Sequence, residues 1–240
     1  MDRKKVFYVE GNISSSKTTV LAGLREAGVA VYEEPLHIWK ERYVEKNGDN
    51  VLGLFYLDMK RWSFLFEVAV MTTRILELER ALKDPVELVV VERSVFTDFH
   101  VFAPNLYAEG KMSDGEWKIY EDWYNLQLRL VLKPLVAQAD VSFIYIDTDA
   151  ETCHARKIGR DRKEEKLMPP DYLIQLQKRH DNWLLDVDFP HPMHRVDGHG
   201  SEQEVLKQVL KVIGHKEKHP LEDGSTTLPP KGFGGSDGSL

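Results

Sequence analysis

Apolar residues along this chain fall into short runs separated by longer stretches of helical spacing, and that alternation predicts the fold class. Lys5 to Glu10 is a β-branched and aromatic run, as in a buried strand. A helical pattern follows in Val20, Leu21 and Leu24 and closes at Gly28. Val29 to Tyr32 forms a second strand, ending at Glu33-Glu34-Pro35. From about Val51 to Leu82 apolar residues recur near the 3.6 period, which predicts one long helix. Leu88 to Val91 is apolar without interruption, as in a parallel strand covered on both faces. Glu116 to Leu135 reads as a second long helix, stopped near Pro134, and Val141 to Ile146 as a fourth strand. Helices follow at Asp149 to Gly159 and Pro170 to Leu185, with a last strand at His194 to Asp197. Ser201, with Glu204 three residues on, is a capping-box signature that opens a helix to Ile213. Strands alternating with helices, across connections longer than a hairpin, predict an α/β fold. The expected architecture is a doubly wound, mainly parallel sheet of about five strands flanked by helices.

Composition narrows the function classes. The 240 residues are 42% hydrophobic and 30% charged, enough for one sizeable core and too apolar for a disordered chain. The net charge of −7 offers no general basic field for nucleic acid or an anionic membrane. A single cysteine, Cys153, excludes an intrachain disulfide framework and suits a reducing compartment. An apolar run of only four residues, Val6 to Val9, precedes Glu10, so no signal-peptide core is expected, and no apolar run reaches the roughly 20 residues of a spanning helix. The expectation is a cytoplasmic protein with no nucleic-acid or membrane partner. Residues 1–214 are expected to form one domain. From 215 to 240 the chain is rich in Gly, Pro, Ser and charge, and is expected to be a disordered tail.

The junction after the first strand carries the first chemistry. Gly11-Asn12-Ile13-Ser14-Ser15-Ser16-Lys17-Thr18-Thr19 stands where a G-x-x-x-x-G-K-[ST] loop would surround phosphate oxygens with backbone N–H groups at a helix N-terminus. Lys17 would reach the β/γ-phosphates and Thr18 would offer a hydroxyl to Mg²⁺. Ser16 replaces the second glycine of that pattern; if the position needs φ > 0, the departure costs on the order of 1 kcal/mol.

From this loop onward the chain resembles the deoxyribonucleoside kinase family. The matching pieces are GNISSSKTT, EEPLHIW, NVLGLFYLDMKRWSFLFE, ERSVFTDFHVF and RKIGRDRKEE, followed by a helix ending in HDNW. They run in the family's order from Glu10 to Trp183. The resemblance implies an ATP- and Mg²⁺-dependent kinase that phosphorylates the 5′-hydroxyl of a deoxyribonucleoside, in nucleotide salvage for DNA synthesis, as a homodimer. It implies that Glu34 is the general base and that Arg93 orients it and the 5′-oxygen. Gly11, Asn12, Ser14, Ser15, Ser16, Lys17, Thr18 and Thr19 would hold the donor phosphates. Arg156, Arg160 and Arg162 would close over them from a lid at about 156–169, and Thr18 and Glu92 would hold the metal. Trp39 would form part of the nucleoside pocket wall, Tyr56 and Glu165 would bind the sugar 3′-hydroxyl, and Phe102 would stack on the base.

The base pocket departs from the family. Where the family usually has Gln, this chain has Glu67, with Arg74 and Asp98 matching the charged pair of the deoxycytidine and deoxyguanosine kinases. An ionised Glu67 accepts only and suits the adjacent donors of guanine; a protonated one would behave as Gln does. A pairing of Glu67 with Arg74, seven residues along the same helical face, is the other possibility. The base preference among deoxycytidine, deoxyguanosine and thymidine therefore stays open. Ser16 and Glu67 favour the rival reading, a non-catalytic nucleotide-binding or structural member of the same fold. The joint presence of Lys17, Glu34, Glu92, Arg93 and the lid arginines opposes it.

Overall fold

The computed structural model describes residues 3–160, 168–169 and 171–215. Its elements, in chain order, are β1 (Lys4–Glu10), α1 (Lys17–Glu26), β2 (Ala30–Tyr32), a π turn (Ile38–Arg42), α2 (Val51–Leu57) and α3 (Met59–Lys83). Next come β3 (Leu88–Glu92), α4 (Val95–Thr97), a π turn (Asp98–Phe102), α5 (Ala103–Ala108), α6 (Asp114–Gln127), a third π turn (Leu128–Leu132) and α7 (Lys133–Val136). The remainder is β4 (Ala139–Asp147), α8 (Ala150–Arg160), α9 (Tyr172–Leu184), β5 (Met193–Asp197) and α10 (Glu202–Val212).

The five strands form one sheet in the order β2-β3-β1-β4-β5, with every pairing parallel. The expected doubly wound sheet is therefore present. Strand alternation divides the core into two layers. Val6, Tyr8, Val89, Val91, Phe143 and Tyr145 face the layer of α3, α5, α6 and α9. Phe7, Val9, Val90, Ile144 and Ile146 face the opposite layer, where Val20, Leu21 and Leu24 of α1 meet Val205 and Val209 of α10. Both faces are covered, which is why these strands read as unbroken apolar runs. Ser201 makes the expected capping box with Glu204, and a second box joins Ser113 and Glu116.

Two expected helices differ from the structure. The stretch from Val51 to Leu82 is broken at Asp58, whose φ of −144° leaves the helical region and whose carboxylate caps the next helix by accepting from the Arg61 N–H at 3.1 Å. The helix expected over Glu116–Leu135 begins at Asp114, passes through a π turn and continues beyond Pro134. Pro134 comes directly after the π turn, a local change of helical geometry that accommodates its ring and missing N–H, so it does not stop the helix. Among the described residues no helix is long and apolar enough to cross a membrane.

Candidate active site

The carboxyl ends of β1, β2 and β3 open into one cleft, where parallel α/β sheets gather their ligands. It is bordered by Lys17 and Thr18, by Glu34, Glu92 and Arg93, and by a slot of aromatic and charged side chains that includes Trp39, Tyr56, Glu67, Arg74, Asp98 and Phe102. Candidate residues spread over more than eighty positions of sequence thus share one cavity.

At one end lies the loop between β1 and α1. Gly11 has φ +144°, and a Cβ there would come within 2.7 Å of the Ile146 carbonyl oxygen, so this position requires glycine. Ser14 (φ 63°) and Ser16 (φ 71°) are left-handed without being glycine. The Ser16 side chain makes no capping bond to α1, leaving the first N–H groups of that helix for an anion. Lys17 is buried and folds back on its own loop, donating to the Gly11 carbonyl at 3.0 Å and the Asn12 carbonyl at 2.6 Å. Burial, and then the Arg93 charge, pull its ammonium down to a pKa of about 7. A cation so destabilised, beside a buried Ser14 hydroxyl with no partner, fits a polyanionic ligand. Thr18 is exposed on the cleft wall. Thr19 instead donates to Glu202 of α10 at 3.3 Å. Asn12 anchors the loop through its side-chain amide, which donates to the Leu173 carbonyl at 2.9 Å.

If Ser16 is a tolerated strain, Ser16→Gly should keep turnover within about tenfold and shift Tm by only a few degrees. Relief of roughly 1 kcal/mol is offset by the freer unfolded chain. Ser16→Val should lower both, because a β-branched residue resists left-handed backbone. Turnover assays and thermal melts of the two variants check this, and an inactive, folded Ser16→Gly protein would contradict it.

In the middle of the cleft, Glu34 Oε1 lies 2.6 Å from Arg74 Nη2 and 3.6 Å from Arg93 Nε. Glu33 also borders the cleft, but its carboxylate is held near the surface by Arg25 at 2.8 Å. Glu92 Oε2 accepts the Glu34 N–H at 3.3 Å. Burial and the nearby Glu34 raise the Glu92 pKa, with Lys17 and Arg93 opposing. A buried oxygen donor that resists carrying its charge alone, with the Thr18 hydroxyl on the same cleft, fits a hard divalent cation. Arg93 itself is left-handed (φ 60°). Its backbone N–H donates to the Val9 carbonyl, and the next N–H, of Ser94, donates to the buried Glu10 carboxylate at 2.8 Å. Its guanidinium lies over the Phe102 ring, 5.0 Å from the centroid, and approaches His180 Nε2 at 3.5 Å.

The far end is the slot. Trp39 is buried, donating from Nε1 to Thr73 Oγ1 at 3.0 Å and meeting Phe66 edge-on. Phe102 is half-buried, bordering the cleft while also packing against the core. Arg74 is taken by Glu34 and by Asp98, whose Oδ2 lies 3.1 Å from Arg74 Nε as an ion pair outside hydrogen-bond alignment. Glu67 is not ion-paired with it, so the pairing along the helix face is not what forms. Glu67 Oε2, Arg74 Nη1 and both Asp98 oxygens are buried without hydrogen-bond partners. Burial first, then Asp98, raises the Glu67 pKa well above 4.5.

Some expected residues stand elsewhere. Arg156 donates to the Gly198 carbonyl at 2.8 Å, in the loop after β5. The Arg160 side chain, Arg162 and Glu165 lie outside the described residues, as does the tail beyond 215. Sequence reasoning missed Phe55, Phe66 and Tyr172 on the cleft wall, and Glu10 and His180 behind Arg93. Phe66 and Val70 could have been found from their spacing around Glu67 and Arg74 on one face of α3.

Comparison with known proteins agrees with this geometry. A family model described as deoxynucleoside kinase matches residues 7–215. A probable deoxycytidine kinase of Fowlpox virus (strain NVSL) is 31% identical over 206 residues, covering 83% of this chain and 81% of that protein. Human deoxycytidine kinase is 34% identical over 201 residues, covering 76% of each. Human mitochondrial thymidine kinase 2 is 34% identical over 186 residues, covering 77% of this chain and 66% of that one. Matched along most of its length, the chain belongs to the deoxynucleoside kinase family.

Proposed function

We propose that this chain transfers the γ-phosphate of ATP to the 5′-hydroxyl of a deoxyribonucleoside. The observation that carries the reading is the order of groups along the cleft: a cationic phosphate loop, then a carboxylate between two arginines, then an aromatic slot with a polar floor. Glu34 accepts the 5′-hydroxyl proton as that oxygen attacks the γ-phosphorus, and ADP leaves. Arg93 holds Glu34 and the 5′-oxygen in line. Lys17 and the loop N–H groups take up the charge on the phosphates, so positioning and electrostatics supply most of the rate. Thr18 and Glu92 would hold Mg²⁺, which screens the β- and γ-phosphate charges when bound. Tyr56 would meet the sugar, and Phe102 and Trp39 would enclose the base.

Exposed apolar side chains on two adjacent helices, Leu65 and Leu76 of α3 and Ile119 and Trp123 of α6, with Leu130 of the π turn that follows α6, support pairing of two copies as a homodimer. The test is a phosphorylation assay with ATP and Mg²⁺ against the four deoxynucleosides, with sedimentation of the same preparation counting the protomers. Transfer to at least one is expected. A folded, nucleotide-binding protein that phosphorylates none would return the reading to the non-catalytic alternative.

A further inference from the structure

Three carboxylates and one guanidinium meet at the inner end of the slot. Arg74 directs Nη2 to Glu34 and Nε to Asp98, so its positive charge is already shared by two anions. Glu67 is 2% exposed, and its Oε2 has no partner. A third negative charge there would have to share that same guanidinium and would lose most of its hydration to burial. The unpartnered oxygen lines the same cavity as the unpartnered Asp98 oxygens.

We propose that Glu67 reads the base as a neutral carboxylic acid, one O–H donor beside one C=O acceptor, and so selects deoxynucleosides whose base presents a ring-nitrogen acceptor next to an exocyclic amine, as cytosine and adenine do. The acid's O–H donates to the ring nitrogen and its C=O accepts one amine hydrogen. Asp98, ion-paired with Arg74, accepts the other and disfavours a carbonyl placed there. Guanine puts two donors on this edge, one of which would meet the acid's O–H head-on. Thymine would set its carbonyl against Asp98. The assignment rests on the kinase reading for its substrate class, but not for the proton on Glu67.

The surroundings agree. Asp98 approaches from the π turn after α4, Arg74 lies on Glu67's own helix, Tyr120 faces it from α6 and Tyr172 from α9, with Tyr56, Glu34 and Arg93 further along the cleft. Burial pushes both carboxyls up, but Asp98 lies 3.1 Å from Arg74 Nε while Glu67 has no ion partner, so of the two it is Glu67 that keeps the proton. The sign for stability follows. The folded protein keeps a proton that the unfolded chain releases, so this contribution is full below pH 4.5 and is lost as pH rises through the folded value.

The experiment is kcat/KM for deoxycytidine, deoxyadenosine, deoxyguanosine and thymidine from pH 6 to 9, in the wild type and in Glu67→Gln. It is joined by nucleoside-binding calorimetry without ATP and by infrared difference spectra of the two proteins. The amino-bearing substrates should be preferred near neutral pH and lose efficiency about tenfold per pH unit once Glu67 ionises. Glu67→Gln should lack that alkaline decline, and the difference spectrum should hold a protonated-carboxyl C=O band. A preference for deoxyguanosine that grows with pH would overturn the proposal. So would the same alkaline decline in Glu67→Gln, or a difference spectrum without the band. Should Glu67→Gln not fold, titration of the wild-type band and the pH dependence of deoxycytidine binding decide the matter alone. Binding with the expected pH dependence but without phosphotransfer would sink the kinase reading and leave this one standing.

Discussion

Lys17→Ala should lower kcat by about 10³-fold or more while the protein remains folded. A fixed cation that meets charge in the transition state commonly contributes that much, because the surrounding cleft excludes competing water. The fold should survive for a reason visible in the loop itself. Lys17 donates to two carbonyls there, and losing those bonds costs about 1–3 kcal/mol. The same substitution removes a buried cation held well below its ordinary pKa, which offsets part of that loss. Single-turnover kinetics with a thermal melt separate the two effects. Near-wild-type turnover in a folded protein would show that Lys17 does not meet the phosphates.

Glu34→Gln should lower kcat by about 10²–10⁴-fold with little change in nucleoside affinity, the usual range for loss of a general base. Glu33→Gln is the matched control. Its carboxylate lies at the surface with Arg25, both partners more than a third exposed, so its removal should change neither turnover nor stability measurably. The Glu34 variant also leaves Arg74 with Asp98 alone, and a modest fall in Tm should accompany the kinetic loss. A large loss in Glu33→Gln and none in Glu34→Gln would move the base by one residue.

These roles could be read from sequence where local chemistry was demanding. Val89, Val90 and Val91, buried on both faces, announced a central parallel strand, and the charged pair Glu92-Arg93 directly after them announced a site. Lys17 after a glycine- and serine-rich turn was legible for the same reason. The break at Asp58 was not, because Leu57 and Met59 carry the apolar pattern straight across it and only the cap to Arg61 marks the new start. The helical run from Val95 to Ala108 was hidden by π geometry, whose period matches neither template. Tyr172 and His180 were hidden differently. On an amphipathic helix a cleft-facing residue looks like a core residue, and only the folded neighbours distinguish them. Whether Glu67 meets Arg74 was likewise undecidable along one helix, since the anions that claim Arg74 arrive from residues 34 and 98.

The strand order has a consequence for the chain during its own synthesis. β1 is translated first, yet its hydrogen-bonding neighbours are β3 and β4, and β4 ends at Asp147. The helix that opens the phosphate loop is buried against α10, where Gly23 faces Leu206 and Val20 and Leu24 share a core with Val205 and Val209. The loop is thus made before the strands and the helix that hold it, because parallel pairing over such separations must wait for distant sequence. A chain that stops short of α10 carries every residue of the loop but not the helix face against which α1 packs.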